Sequence, residues 1–115
     1  MLKKAVLLIR SDPRESHRTC EGVRIALGLA ASGHQVDLIF AEEAPRLLED
    51  DIEELVDGEL AMQYLSSLKA FIPLIYIDDA GERGIDPSSS EYQTQSLSKD
   101  EISSKIAASN WFGRF

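Results

Sequence analysis

Apolar residues fall along the chain in two rhythms. Ala5 to Ile9 reads AVLLI, an unbroken apolar run, the pattern of a strand buried on both faces. The turn-forming SDPRES follows it. Val23, Ala26, Leu27 and Ala30 then recur at helical spacing, and Gly33 is a natural stop just beyond them. Gln35 to Phe40, QVDLIF, predicts a second strand. Strand, helix and strand joined by short loops make a βαβ unit, which dictates parallel pairing and a right-handed crossover.

The second half repeats the alternation. Pro45 fits the first turn of a short helix through Leu48. The acidic segment Glu49 to Asp57 predicts a solvated stretch with Ile52, Leu55 and Val56 as its apolar contacts. A helix over about Glu59 to Ala70 is expected to bury Leu60, Tyr64, Leu65 and Leu68. PLIYI, Pro73 to Ile77, predicts the third strand, with Pro73 at its first position, where no ladder hydrogen bond is required. A long loop, DDAGERGIDPSSS, leads to a weaker strand, Tyr92 to Leu97, expected nearer an edge. SKDE then has the form of a capping box. The Ser98 hydroxyl accepts from the Glu101 amide, and the Glu101 carboxylate returns to Ser98. That helix carries Ile102, Ile106 and Ala107, and NWFGRF closes the chain as a short last strand. The order predicts one domain over residues 1–115. Its fold class is α/β, a three-layer α/β/α sandwich around a mainly parallel sheet.

Composition narrows the partners. The chain has 115 residues, 43% of them hydrophobic, enough for one core, and a net charge of −8. That charge argues against duplex nucleic acid and against an anionic membrane as partners. The acidity is concentrated from Glu42 to Glu59, while the stretch up to Arg24 is basic, with Lys3, Lys4, Arg10, Arg14, Arg18 and Arg24. No segment is long enough to span a bilayer. The basic, apolar opening lacks a small-residue cleavage site, so a cytoplasmic location is expected. One cysteine cannot form an internal disulfide, which suits a reducing compartment. Two histidines and one cysteine without paired spacing make no metal site. Gly22, Gly28 and Gly33 form no dinucleotide or P-loop fingerprint. A phosphoacceptor receiver domain shares the length and the βα order. Asp12 with Asp78 or Asp79 imitates its acids, but the late lysines, Lys99 and Lys105, both fall on the predicted last helix.

Ligands of open parallel sheets bind outside the carboxyl ends of the strands. Two long loops leave such ends. RSDPRESHRTC after the first strand supplies Arg10, Arg14, His17, Arg18 and Cys20. DDAGERGIDP after the third supplies Asp78, Asp79, Glu82 and Arg83, with Gly81 and Gly84 making the backbone permissive. Arg10, Arg14, His17, Arg18, Arg83 and Gly84 are therefore candidates for holding an anion or small ligand. Cys20 has two readings. Free amides and a helix dipole beside Arg14, His17 and Arg18 favour a thiolate, and hence a sulfur acceptor or redox thiol. Its spacing, three residues before Val23 and seven before Leu27, equally continues the buried stripe of the helix. His17 has a plain alternative as a solvent-facing loop histidine.

The opening KKAVLLIRSDP, the helix EGVRIALGLAASG, the unit VDLIFAEEAPRLL, the loop GERGIDP and the tail NWFGRF together resemble the DsrE/DsrF/TusC-like sulfur-relay family, most closely its DsrF/TusC branch. The resemblance rests on the ordered set over nearly the whole chain. It implies a parallel five-stranded sheet in three layers and no organic cofactor. It also implies homo-oligomers, trimers or hexamers, or hetero-oligomers with paralogous DsrE-like subunits, and the carriage of persulfide sulfur. Sulfur-carrying members place their acceptor cysteine near the end of the strand before the Arg-Gly loop. Counting back from Arg83 and Gly84 reaches Tyr76, and no cysteine is there.

The resemblance thus implies a non-catalytic subunit or regulator of a sulfur relay that works through its interfaces. Two readings compete with it: a thiol carrier or redox protein using Cys20, and a small anion or metabolite binder at the strand-end loops. Trp111, Phe112 and Phe115 crowd the last five residues and require burial, either on the domain's own core or, with Tyr76, at an interface.

Overall fold

The structure is a computed structural model and describes residues 3–49, 51–79 and 92–115. These form strands β1 (Lys4–Ile9), β2 (Gln35–Phe40), β3 (Leu74–Asp78), β4 (Gln93–Leu97) and β5 (Trp111–Arg114). The helices are α1 (Arg18–Ala31), α2 (Gly58–Leu68) and α3 (Lys99–Ala107). The sheet order is β4-β3-β2-β1-β5, and every neighbouring pair is parallel.

Alternation along the strands splits the core in two. Ala5, Leu7 and Ile9 of β1 pack with Leu38 and Phe40 of β2 and Ile75 and Ile77 of β3 under Val23 and Ala26 of α1 and Leu65 and Leu68 of α2. Val6 and Ile39 face the other way and meet Leu97 and Ile102 of α3. Helices therefore cover both faces, and the fold is a three-layer α/β/α sandwich. Leu7, Leu38, Phe40 and Ile75 are fully buried, and each such burial stabilises by about 1.5–3 kcal/mol relative to exposure.

Local chemistry sets the helix ends. Gly33 takes φ 94°, a left-handed conformation, and closes α1. Its amide donates to the Ala30 carbonyl, and the His34 amide donates to Leu29, the paired bonds of a Schellman stop. The capping box opens α3: the Glu101 amide donates to Ser98 Oγ at 3.2 Å, and the Ser98 amide donates to Glu101 Oε1 at 3.0 Å. These bonds hold the Glu101 carboxyl below the usual range.

One expectation is corrected. Leu60 is 42% exposed rather than buried. The helix runs from Gly58 to Leu68 and turns Ala61, Leu65 and Leu68 inward. Leu60 lies about 100° around the helix from Ala61, off that stripe.

The connections create a crevice. Leaving β1 the chain enters α1 on one face, whereas β5, paired on the other side of β1, is reached from α3 on the opposite face. Because α3 joins β5 at its amino end, α1 is the helix that begins at the carboxyl ends of this pair, and a gap lies beside its first turn.

Candidate functional site

Arg10, Ser11, Arg18, Glu42, Arg114 and Phe115 line a crevice of about 300 Å³ at that gap. Each arrives from a different piece of local structure. Arg10 and Ser11 leave β1, and Arg18 begins α1. Glu42 follows β2, and Arg114 ends β5 in register with Leu8. The Ala41 amide donates to the Ile9 carbonyl at 2.9 Å, which fixes Glu42 over the end of β1. Glu42 itself has φ 55°, a left-handed posture that costs a non-glycine residue about 1–2 kcal/mol. The Phe115 amide donates to Leu8, and the Phe115 ring packs against the α1-side core. Behind the lining residue Ser11, Thr19, almost wholly buried, donates from Oγ1 to the Ser11 carbonyl at 3.0 Å and lies 2.8 Å from Ser11 Oγ.

Of the residues expected to hold an anion, the fold brings Arg10 and Arg18 together. Arg14 is directed elsewhere. Its Nε and Nη2 fork onto Asp12 at 3.1 and 2.8 Å, and Glu43 lies 3.9 Å away. The Arg14 hydrogen bonds hold the Asp12 carboxyl below its ordinary range. His17 faces a different opening. Arg83 and Gly84 lie outside the described residues. Arg114 is the member that the sequence did not offer. It reaches the crevice through the β1–β5 pairing, and its carbonyl accepts from Arg18 Nη2 at 3.1 Å across 96 residues of chain.

Cys20 occupies a second, smaller cleft of about 170 Å³ with His17, Glu21, Arg24, Asp57, Leu60 and Tyr64. Asp57, at the start of α2, lies 2.6 Å by Oδ2 from His17 Nδ1, so the pair ties the start of α1 to the start of α2. The thiol is 5% exposed and continues the buried stripe of α1. Burial pushes its pKa up, and the charges of Asp57 and Glu21 push it further the same way, while Arg24 opposes them. The acids therefore outweigh the cations that the sequence places nearby, and the site favours the neutral thiol over the thiolate.

Tyr76 lies on the other side of the sheet. It packs with the α3-side core, paired in register with Ile39 of β2 and Gln95 of β4. Lys105 Nζ of α3 stands 4.5 Å above the ring centroid and 3.4 Å from Asp37 Oδ2 of β2. Tyr76 and Cys20 thus belong to opposite faces, separated by the sheet.

The aromatic tail divides between faces. The Trp111 indole lies over Gly113, so close that a Cβ there would meet Trp111 Cη2 at 2.5 Å, and the Phe115 ring flanks the same glycine. Trp111 nevertheless stays 43% exposed and Phe112, on the α3 side, 36%. No group of three or more metal-ligating side chains occurs among the described residues, and none of their helices is long and apolar enough to cross a membrane.

No protein-family model matches the chain, and no curated protein sequence matches it. Among solved structures, it is similar to the crystal structure of the ychN protein from E. coli. The TM-score is 0.77 at 16% sequence identity, over 99% of this chain and 100% of that one. The likeness is one of fold, an α/β architecture shared across the full length of both chains.

Proposed function

We propose that this protein is a non-catalytic subunit or regulator of a DsrE/DsrF-like sulfur-relay system and acts through contacts with other subunits. One observation carries the reading. The position at which the resemblance calls for an acceptor thiol is Tyr76 on the α3 face, and the chain's only thiol is buried on the opposite face. Cys20 therefore does not stand where Tyr76 stands. Its neighbours Asp57 and Glu21 also oppose the thiolate that sulfur transfer needs. The half-exposed Trp111 and Phe112 at the β5 edge supply the apolar surface for assembly, as a homo-oligomer or with paralogous subunits in the cytoplasm.

The second reading, a thiol carrier or redox protein, is favoured by a specific arrangement: Cys20 shares its cleft with the hydrogen-bonded His17–Asp57 pair. Alkylation separates the two. With the thiol buried and neutral, iodoacetamide labels native Cys20 more than about ten-fold slower than the urea-unfolded chain, and polysulfide leaves no persulfide on it. Native mass spectrometry at working concentration finds an oligomer, alone or with a DsrE-like paralogue. Rapid labelling with persulfide formation establishes the thiol reading instead. A monomer that captures no paralogue removes the subunit reading.

A further inference from the structure

We propose that the crevice outside the carboxyl ends of β1 and β5 is a binding site for a phosphate-type dianion, held by Arg10, Arg18 and Arg114. The proposal stands apart from the subunit reading and holds for a monomer or an assembly.

The contrast among arginines carries it. The protein is acidic, and other described arginines sit in short carboxylate pairs: Arg14 with Asp12 at 2.8 Å, Arg24 with Glu21 at 2.7 Å and Arg46 with Glu43 at 2.6 Å. The three crevice arginines have only Glu42 among the residues lining the site, and its nearest contact is 3.6 Å, to Arg10 Nη1. Three guanidiniums against one side-chain carboxylate give the lining side chains a net charge of about +2 inside a chain of net −8. Gathering like charges costs free energy that a bound anion offsets.

The donors suit an oxyanion. A guanidinium offers five N–H groups in a planar fork that matches phosphate oxygens. Arg18 spends one of them on the Arg114 carbonyl, a bond that also anchors its side chain at the crevice wall. Neither Arg10 nor Arg114 donates a side-chain hydrogen bond to another described residue. The Arg10–Glu42 contact joins two half-exposed side chains, 48% and 52% accessible, and such pairs are weak. A dianion that takes several N–H bonds at once displaces Glu42 from it. About 300 Å³ accommodates a phosphate with a small organic remainder, and the Phe115 ring supplies an apolar wall for that remainder.

Calorimetric titration with inorganic phosphate, against chloride at constant ionic strength, tests the site. Phosphate binds saturably and chloride does not. Arg114→Gln and Arg10→Gln each weaken phosphate by about ten-fold or more, Glu42→Gln tightens it several-fold, and Arg24→Gln, in the separate Cys20 cleft, leaves it unchanged. Should either arginine variant fail to fold, Arg114→Lys and Glu42→Gln still decide: the first retains charge but loses the fork and weakens binding, and the second tightens it. In a protein ending at Phe115 the terminal carboxylate competes for the same guanidiniums, so extending the chain by Gly-Ser also tightens binding. Glycerol 3-phosphate binding more tightly than inorganic phosphate assigns the site to phosphate monoesters, and equal affinity assigns it to the free anion. Phosphate acting no differently from chloride, or arginine variants that keep wild-type affinity, overturns the proposal.

Discussion

On the α1/α2 face, side chains from β1, β2 and β3 meet two helices, and the buried cluster runs from Ala5 to Tyr92. On the α3 face, among the described residues, a nine-residue helix lies over the sheet, and four buried residues, Val6, Ile39, Leu97 and Ile102, make the cluster. Leu8, Tyr76 and Ile106 around them are only partly covered. The first face is held by packing. The second is held by placed polar contacts: the capping box at Ser98 and Glu101, and Lys105 reaching both Asp37 and the Tyr76 ring. Apolar burial outweighs exposed ion pairs by several-fold per residue, so stability resides on the α1/α2 side. The thinner face leaves apolar surface open around Phe112, where the proposed subunit contacts have room to form.

Truncation of one side chain on each face measures that difference most strongly. Phe40→Ala, on the thick face, is expected to cost about 3–5 kcal/mol in urea unfolding, while Ile102→Ala, on the thin one, costs about 2 kcal/mol because its partly open surroundings relax into the gap. Equal losses would show that α3 contributes as much as the paired helices.

The two glycines of α1 sharpen the picture with opposite signs. A Cβ on Gly22 would lie 2.7 Å from Ile9 Cδ1 and 2.9 Å from Ile9 Cγ1, against a fully buried side chain that cannot swing away. Gly28 has open space. Gly22→Ala is expected to destabilise by about 1 kcal/mol, overpacking outweighing the gain in helix propensity. Gly28→Ala gains about 0.5–1 kcal/mol. Thermal unfolding of both variants checks the pair, and a stabilised Gly22→Ala would mean that α1 lies farther from β1.

The smallest effect is pH-dependent and belongs to the thin face. The folded-state pKa of Glu101 is lowered by its bonds to Ser98. The capping contribution is therefore fully present above the unfolded carboxylate range and fades as pH falls through the lower folded value. Amide-exchange protection in the first turn of α3, taken relative to the intrinsic rate at each pH, should fall on acidification, and Glu101→Gln, which retains an acceptor without the ionisation, should flatten that dependence.

Local signals carried well from sequence to structure. AVLLI, QVDLIF and YQTQSL mark strands, Gly33 marks a helix stop and SKDE marks a cap because each is decided within a few residues of itself. Tertiary placement was less visible. The apolar pattern puts Leu60 in the α2 stripe, whereas Ala61, small and apolar, takes the inward position next to it. Arg14 looked equivalent to Arg10 and Arg18 until the Asp12 carboxylate, two residues away, proved to capture it. Arg114 and Asp57 were missed for one reason: each reaches its site through long-range pairing, the first through β1–β5 and the second through the approach of α2 to α1. Asp57 also reverses the electrostatic sign expected at Cys20, a balance that charges adjacent in sequence do not predict.

The position of β5 has a consequence for the order in which the molecule is made. The Lys4 amide donates to Asn110 Oδ1 across 106 residues, and the Asn110 amide returns to the Lys4 carbonyl. During synthesis β1, α1 and β2 emerge together and form their βαβ unit early, from contacts close in sequence. The outer edge of β1 then waits, unpaired, until β5 has been delivered. Its closure brings Arg114 beside Arg10 and Arg18 in the same step. The arginine crevice therefore exists only once β5 has paired, and an anion bound there would mark a sheet closed along β1 from one still open.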